Sequence, residues 1–176
     1  MNNQGQKIEL IYERDTLENT DILELQKELT ERNIHFDSQQ RSIMTCASID
    51  FFMPVIQFVT SESFLFGFTA SAAWDLFKTI TRFAYNKFHN HKTHKRYNGK
   101  TVDTPTNIHF DIGNTHLVLP VDTDKDKYEY AVDKFFKYVS SHTPNKTTYV
   151  WYNETDKSLT TKTEEQIINE EIKKQQ

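Results

Sequence analysis

IHFDIGNTHLVLPV, residues 108–121, is the stretch that most directly predicts the fold. Its core-facing candidates stand at every second position on both sides of the Gly113-Asn114 pair. A period of two places alternate side chains on one face of a strand, and a glycine-containing pair of this kind favours a tight turn between two strands. The stretch therefore predicts a β-hairpin, with its apolar face formed by Ile108, Phe110, Ile112, Leu117, Leu119 and Val121.

The residues after the hairpin continue with one helix, a pair of strands and a closing helix. Apolar residues recur at helical spacing over 128–139, which predicts an amphipathic helix. A strand is expected over Thr147–Tyr152, with Ser158–Lys162 as its partner after a turn. Thr163 stands three residues before Gln166, a spacing typical of a helix start, so a short peripheral helix is expected there.

The residues before the hairpin predict a strand, a helix and further extended segments. Alternating apolar residues indicate a strand over Lys7–Tyr12. Asp21 stands three residues before Glu24, the spacing of a capping box, so a helix is expected to begin at Asp21. Extended segments are expected over Ile34–Asp37 and, from a weaker pattern, over Arg41–Ala47.

These elements together predict an α+β fold, in which helices pack on a small mixed or antiparallel sheet. A long helix is expected in the middle of the chain, because apolar residues recur at helical spacing over 73–88. We expect a flexible N-terminus over residues 1–6, a single α+β domain over 7–162, and a peripheral C-terminal helix and tail over 163–176. The single cysteine, Cys46, excludes an internal disulfide framework and fits a reducing compartment. With no secretory signal visible, we expect a cytoplasmic protein.

The distribution of charge and polarity changes abruptly in the middle of the chain. Phe51–Trp74 carries one formal charge, Glu62, whereas residues 76–102 hold seven of the 21 basic side chains and no acidic one. The whole chain is acidic, with 25 carboxylates. An apolar segment followed by a cationic one inside an acidic protein indicates an interaction surface.

Three interpretations of the apolar segment 51–74 are open. As a membrane-spanning helix it is long enough, since about 20 residues cross the hydrocarbon layer, but Glu62 would cost roughly 2.5–3.5 kcal/mol near its middle. As core, it would form a buried helical turn around Pro54–Thr60, a break at residues 61–63, and a long helix capped by Ser61. As a partner-binding surface, it would expose its many phenylalanines. The last two interpretations are compatible with each other.

The basic segment, Lys87–Lys100, also has three interpretations. It is expected first to be a solvated polar loop, running from His89 to Thr104 with a turn at Asn98-Gly99. A surface for acidic protein partners comes second. Nucleic-acid binding comes third, because a net charge of −4 opposes the approach of phosphates. Metal binding by the nearby histidines is a weak signal, and no metal is assigned; the residues concerned are His89, His91 and His94.

No catalytic motif is recognisable in the sequence. Nucleophile elbows, phosphate loops, dinucleotide-binding glycines, zinc-protease helices and paired cysteines are all missing. Cys46 with a histidine would make a nucleophile pair, but a lone cysteine beside apolar residues is typically a small buried hydrophobe. The sequence therefore predicts neither an enzyme nor a cofactor.

The order of elements over about residues 7–121 resembles the effector-associated constant components of bacterial conflict and defence systems. The resemblance rests on the first strand, the leucine-bearing helix, the apolar helical stretch over 64–88 with Ala70-Ser-Ala-Ala-Trp74, the basic segment and the hairpin. It implies a small accessory protein without catalytic residues, which couples to an effector or sensor.

The sequence as a whole predicts a non-catalytic interaction or adaptor subunit of a larger assembly. Its partner is expected to be another protein or a second copy of the chain, with membrane attachment through residues 51–74 and nucleic-acid binding through residues 87–100 as alternatives. The expected apolar contacts are Phe51, Phe52, Phe58, Phe64, Phe66 and Phe68, and the expected cationic rim is Lys92, Lys95 and Arg96.

Overall fold

The computed structural model describes residues 6–41, 54–61, 63–66, 69–90, 92–97, 100–106 and 108–174. This part of the chain contains nine strands and five helices. The strands are β1 (Lys7–Glu13), β2 (His35–Arg41), β3 (Ile56–Thr60), β4 (Lys92–Tyr97), β5 (Lys100–Pro105), β6 (Ile108–Ile112), β7 (Thr115–Val118), β8 (Thr148–Asn153) and β9 (Ser158–Thr163). The helices are α1 (Asn19–Glu31), α2 (Ser63–Phe66), α3 (Ala70–Phe88), α4 (Lys125–Val139) and α5 (Glu164–Lys174).

Seven of the strands form one mixed sheet in the order β2-β1-β3-β6-β7-β8-β9. The neighbours β1 and β2, β3 and β6, and β7 and β8 run parallel, whereas the other neighbouring strands run antiparallel. Each parallel pair is joined by a connection that contains a helix, since parallel strands need a long crossover. Strands β4 and β5 form a separate two-stranded sheet. The α+β fold expected from the sequence is thus confirmed.

The core lies between one face of the large sheet and helices α1, α3 and α4. A row of apolar side chains crosses this face in register, from β1 to β8: Leu10, Phe58, Phe110, Leu117 and Val150. All five are fully buried. Helix α3 packs on this row, and the rings of Phe77 and Phe110 have centroids 5.0 Å apart. The opposite face of the sheet carries the polar side chains described below.

Several predictions from the sequence are confirmed by these elements. The hairpin forms as β6 and β7, and Gly113 adopts a φ of 57°, a left-handed conformation that glycine accepts without steric cost. The first strand, the helix over 128–139 and the β8–β9 pair also form. The closing helix begins at the expected place: the amide of Gln166 donates to the Thr163 hydroxyl, and the amide of Thr163 donates to the Gln166 side chain.

Three local predictions were wrong. Residues 56–60 form β3, a strand inside the sheet, instead of a buried helical turn. The helix after the apolar segment is divided into α2 and α3, and α3 is capped by the Thr69 hydroxyl rather than by Ser61. The polar loop predicted over 89–104 is instead largely the paired strands β4 and β5. In each case, long-range strand pairing or a local side-chain acceptor prevailed over what the local composition indicated.

Helix α1 begins two residues before the predicted start, at Asn19, because Asp21 acts inside the first turn. Its carboxylate accepts a hydrogen bond from the backbone amide of Glu18, the residue before the helix. Among the described residues, no helix combines the length and the apolar character that crossing a membrane requires. A spanning helix over 51–74 is also incompatible with strand β3.

The ion pair between Asp21 on α1 and Lys87 on α3 predicts a pH-dependent contribution to stability. Partial burial raises the pKa of the Asp21 carboxyl, but hydrogen bonds from Lys87 and from the Glu18 amide together hold it below its usual value of 3.8. A carboxyl whose pKa is lowered by folding stabilises the folded state above its usual pKa and loses that contribution as the pH falls. We expect Asp21→Asn to lower the free energy of unfolding at pH 7 by about 1 kcal/mol or less, since the pair is partly exposed and screened.

Urea unfolding of wild type and Asp21→Asn between pH 2 and 8 measures this contribution. The difference in the free energy of unfolding between the two proteins should be constant above about pH 5 and shrink towards zero below the usual pKa of 3.8. Lys87→Met is the matched variant at the other member of the ion pair, because it removes the ammonium group that donates to Asp21. A difference that stays the same down to pH 2 would contradict the assignment of this effect to the ion pair.

Candidate functional site

The predicted aromatic contact residues are placed in the core wherever the structure describes their side chains. Phe58 lies on β3 and Phe64 on α2, and both are fully buried in the hydrophobic core. For these two residues the core interpretation holds, and neither offers surface to a partner in this fold. Phe66 belongs to α2, but its side chain lies outside the described part, as do the remaining predicted contacts, Phe51, Phe52 and Phe68.

The predicted cationic rim lies on a single secondary-structure element. Lys92, Lys95 and Arg96 all belong to β4, which pairs antiparallel with β5 from Lys92 opposite Pro105 to Tyr97 opposite Lys100. This hairpin, residues 92–105, contains four Lys or Arg residues and one acidic residue, Asp103. The cations are thus concentrated in a paired two-stranded element and not spread along a loop.

A second group of polar residues lies on the sheet face opposite helices α1, α3 and α4. In β6, His109 and Asp111 alternate with the apolar residues that face the core. His116 on β7 is the register partner of Asp111, and Tyr149 on β8 is the register partner of His116. Gln57 on β3 is the register partner of His109. The sheet register therefore collects five polar side chains from four neighbouring strands, and we call His109, Asp111 and His116 the histidine–aspartate cluster.

The histidine–aspartate cluster is compact and held by direct contacts. Nδ1 of His116 lies 2.8 Å from Oδ1 of Asp111, and the side-chain amide of Gln57 donates a hydrogen bond to Oδ2 of the same carboxylate. One imidazole nitrogen from each histidine and one carboxylate oxygen all lie within 4.8 Å of one another. The ring of Tyr149 stacks on the ring of His116, with centroids 4.7 Å apart and planes 16° from parallel.

The cluster is buried although it is polar. His109 and Asp111 are 1% and 3% exposed, and only His116 retains moderate access to solvent, with 20% of its side chain exposed. Burial lowers the pKa of His109 to about 4, so its imidazole is neutral at pH 7. Burial, with the nearby carboxylates of Glu164 and Asp111, raises the pKa of Tyr149 to about 12. Both groups are therefore uncharged near neutral pH.

Arg41, at the end of β2, acts electrostatically on His109. Its guanidinium adds a Coulombic contribution that lowers the pKa of His109 further. Nη2 of Arg41 lies 3.8 Å from Oε1 of Glu13, and the side chains of both residues are largely buried. Glu13 therefore places a negative charge next to the Arg41 guanidinium.

The cluster was not predicted from the sequence, although the β6–β7 hairpin, which was predicted, already brings its three members together. Once Gly113-Asn114 is taken as a two-residue turn, Ile112 pairs with Thr115 and Asp111 pairs with His116. His109 then shares the face of Asp111 because it stands two residues away on the same strand. The contributions of Gln57 and Tyr149, in contrast, depend on strand order in the sheet and have no local signal.

The chain matches no protein-family model, no curated protein and no solved structure. The resemblance to effector-associated constant components accordingly stays a prediction.

Proposed function

We propose that the protein is a non-catalytic interaction subunit of a larger cytoplasmic assembly and that it binds an acidic protein partner through the β4–β5 hairpin. The observation that supports this most is the concentration of cations on that hairpin: Lys92, Lys95, Arg96 and Lys100. A paired hairpin orders its backbone before binding, so presenting charges on it costs less conformational entropy than presenting them on a loop.

The charge of the rest of the chain favours an acidic protein over nucleic acid as the partner. Outside residues 76–102 the protein has 14 basic side chains against 25 acidic ones. A long polyanion that extended beyond the hairpin would meet this acidic surface and be repelled, whereas a compact acidic patch would contact the hairpin alone. Charge complementarity of this kind sets the specificity and the rate of association more than the affinity itself.

This surface includes fewer aromatic residues than the sequence predicted. Phe58 and Phe64 belong to the core and are left out. Phe51, Phe52, Phe66 and Phe68 stay predicted apolar contacts. A role in a defence or conflict system rests on the sequence resemblance alone and stays a prediction of the same proposal.

A charge-reversal variant of the hairpin tests the proposal. Tagged wild-type protein and Lys92→Glu/Lys95→Glu/Arg96→Glu are used to capture partners from the native host in detergent-free buffer, with and without nuclease. We expect a stoichiometric acidic protein on the wild type, and at least about a tenfold loss of it on the variant, because like charges brought together at an interface cost more than about 1.4 kcal/mol. Raising the salt concentration should weaken the wild-type complex as well.

The matched control reverses three exposed lysines far from the hairpin in sequence, Lys27, Lys137 and Lys173. Both triple variants change the net charge by the same amount, so an effect of net charge alone would weaken capture equally in both. Equal loss in the two variants, or capture that nuclease treatment abolishes, would overturn the proposal. The nuclease result would assign the hairpin to nucleic acid instead.

A further inference from the structure

We propose that the histidine–aspartate cluster, His109, Asp111 and His116, binds one divalent first-row transition metal ion of the Zn²⁺ class. This site shares no residue with the proposed partner-binding hairpin: it lies on the large sheet, and the hairpin forms a sheet of its own. The three donors have the chemistry, the separation and the orienting contacts of such a site.

The donor set selects the class of ion. Two imidazole nitrogens and one carboxylate oxygen suit zinc and the other divalent first-row transition metals, whereas Ca²⁺ and Mg²⁺ prefer sites made of oxygen ligands alone. Three protein ligands are also the number found at zinc sites that keep a fourth position for water or a small ligand. The donor set therefore indicates a site with one position open to exchange.

The distances between the donors fit one shared ion. Zinc binds nitrogen and oxygen donors at about 2.0–2.2 Å, so two donors of a tetrahedral ion lie roughly 3.3 Å apart. The Asp111 and His116 donor atoms are 2.8 Å apart, and all three donors lie within 4.8 Å of one another. On binding, side-chain rotations would bring these donors to the spacing that one ion requires.

The neighbouring side chains orient the donors as outer partners do at metal sites. Gln57 donates to the second carboxylate oxygen of Asp111, which leaves Oδ1 directed towards His116. The Tyr149 ring stacks on His116 and limits its rotation. Such outer contacts fix the orientation of the ligands and are commonly worth 10–100-fold in metal affinity.

A bound dication would also balance the charge of the buried carboxylate. Asp111 is 3% exposed, and burying a carboxylate is costly unless an opposite charge or hydrogen bonds compensate it. Gln57 supplies a hydrogen bond to one carboxylate oxygen, and Nδ1 of His116 lies 2.8 Å from the other. A metal ion would place positive charge directly on Asp111, and the partly exposed His116 marks the side from which the ion would enter.

Metal titration of the stripped, untagged protein tests the site. After dialysis against a chelator, wild type is titrated with Co²⁺, followed by its visible absorption, and with Zn²⁺ by calorimetry. We expect one ion per chain, and a weakening of more than about 100-fold in His116→Asn, beyond the range associated with outer partners. We expect about 10–100-fold weakening in Gln57→Met, which keeps the side-chain volume and removes only the hydrogen bond to Asp111.

Two histidine variants serve as matched controls. His35→Asn removes a histidine from an exposed His–Asp pair, in which Nε2 of His35 lies 3.4 Å from Oδ1 of Asp37. The triple variant His89→Asn/His91→Asn/His94→Asn removes the histidines of the basic segment. Both controls should bind the ion as wild type does, and circular dichroism should show that every variant is folded.

The outcomes separate a metal site from a buried polar cluster. Binding that is lost in His116→Asn and kept in both controls supports the proposal. Stripped wild type that takes up neither Co²⁺ nor Zn²⁺ overturns it, and the cluster is then a hydrogen-bonded element of the sheet. Binding that survives in His116→Asn, or that disappears in the triple variant alone, also overturns it. Because the partner capture described above does not involve these residues, its result is independent of this one.

Discussion

Phe58→Ala is expected to lower the free energy of unfolding by about 3–5 kcal/mol, which is a large part of the 5–15 kcal/mol typical of a domain. Phe58 is fully buried on β3, where its ring stacks near Phe110 with centroids 5.9 Å apart and meets Phe83 edge-on at 6.3 Å. Truncation removes these contacts and leaves a cavity that the close-packed surroundings fill only in part.

Urea unfolding followed by circular dichroism measures the effect of Phe58→Ala. Leu23→Ala is the matched control, since Leu23 is an apolar residue of α1 that is 62% exposed and should change stability by less than about 0.5 kcal/mol. The measurement also tests whether Phe58 itself belongs to the core or to a partner-binding surface. A stable Phe58→Ala protein that only loses its partner would return Phe58 to the interaction surface and contradict its place in the core.

Tyr128→Ala is expected to lower the free energy of unfolding by a similar amount, about 3–5 kcal/mol, because Tyr128 joins α4 to α3. Its ring is fully buried beside Tyr85, with centroids 4.6 Å apart, and its hydroxyl donates to the backbone oxygen of Thr81 at 2.5 Å. Burial raises the pKa of Tyr128, so the hydroxyl remains a hydrogen-bond donor throughout the neutral range. Helix α4 therefore depends on this side chain for both packing and a hydrogen bond.

A second substitution separates the ring from the hydroxyl. Tyr128→Phe keeps the ring and removes the hydrogen bond, and we expect it to cost about 1 kcal/mol. Tyr130→Phe on the same helix is the control, because Tyr130 is 41% exposed and its hydroxyl can be solvated in the folded state. If Tyr128→Phe and wild type have the same free energy of unfolding in urea, the buried hydroxyl makes no net contribution to stability.

Much of the fold was predictable because it depends on short-range patterns. The hairpin of β6 and β7 follows from alternation around one glycine-containing turn, and α4 follows from apolar residues at helical spacing. The same alternation is present at Ile56, Phe58 and Thr60, where β3 forms. The alternation does not stand out in the sequence, because the surrounding residues are also apolar. Only pairing with β1 and β6 makes this segment a strand.

The basic segment shows the same division between local and long-range information. Its composition indicates a solvated loop, yet Lys92–Tyr97 and Lys100–Pro105 pair as β4 and β5. The charge of the segment was predictable from the sequence. Its secondary structure was not, because polar strands carry no apolar period to reveal them.

The sequence by itself determined the α+β class, the hairpin, the amphipathic helices and the acidic chain with one cationic segment, because each depends on residues that are near one another in the chain. Only the tertiary structure decided that Phe58 and Phe64 are buried, and that Gln57, His109, Asp111, His116 and Tyr149 meet on one sheet face. The reason is physical: strand order and register join residues up to 92 positions apart, and the hydrogen bonds that set them leave no periodic signal in the sequence.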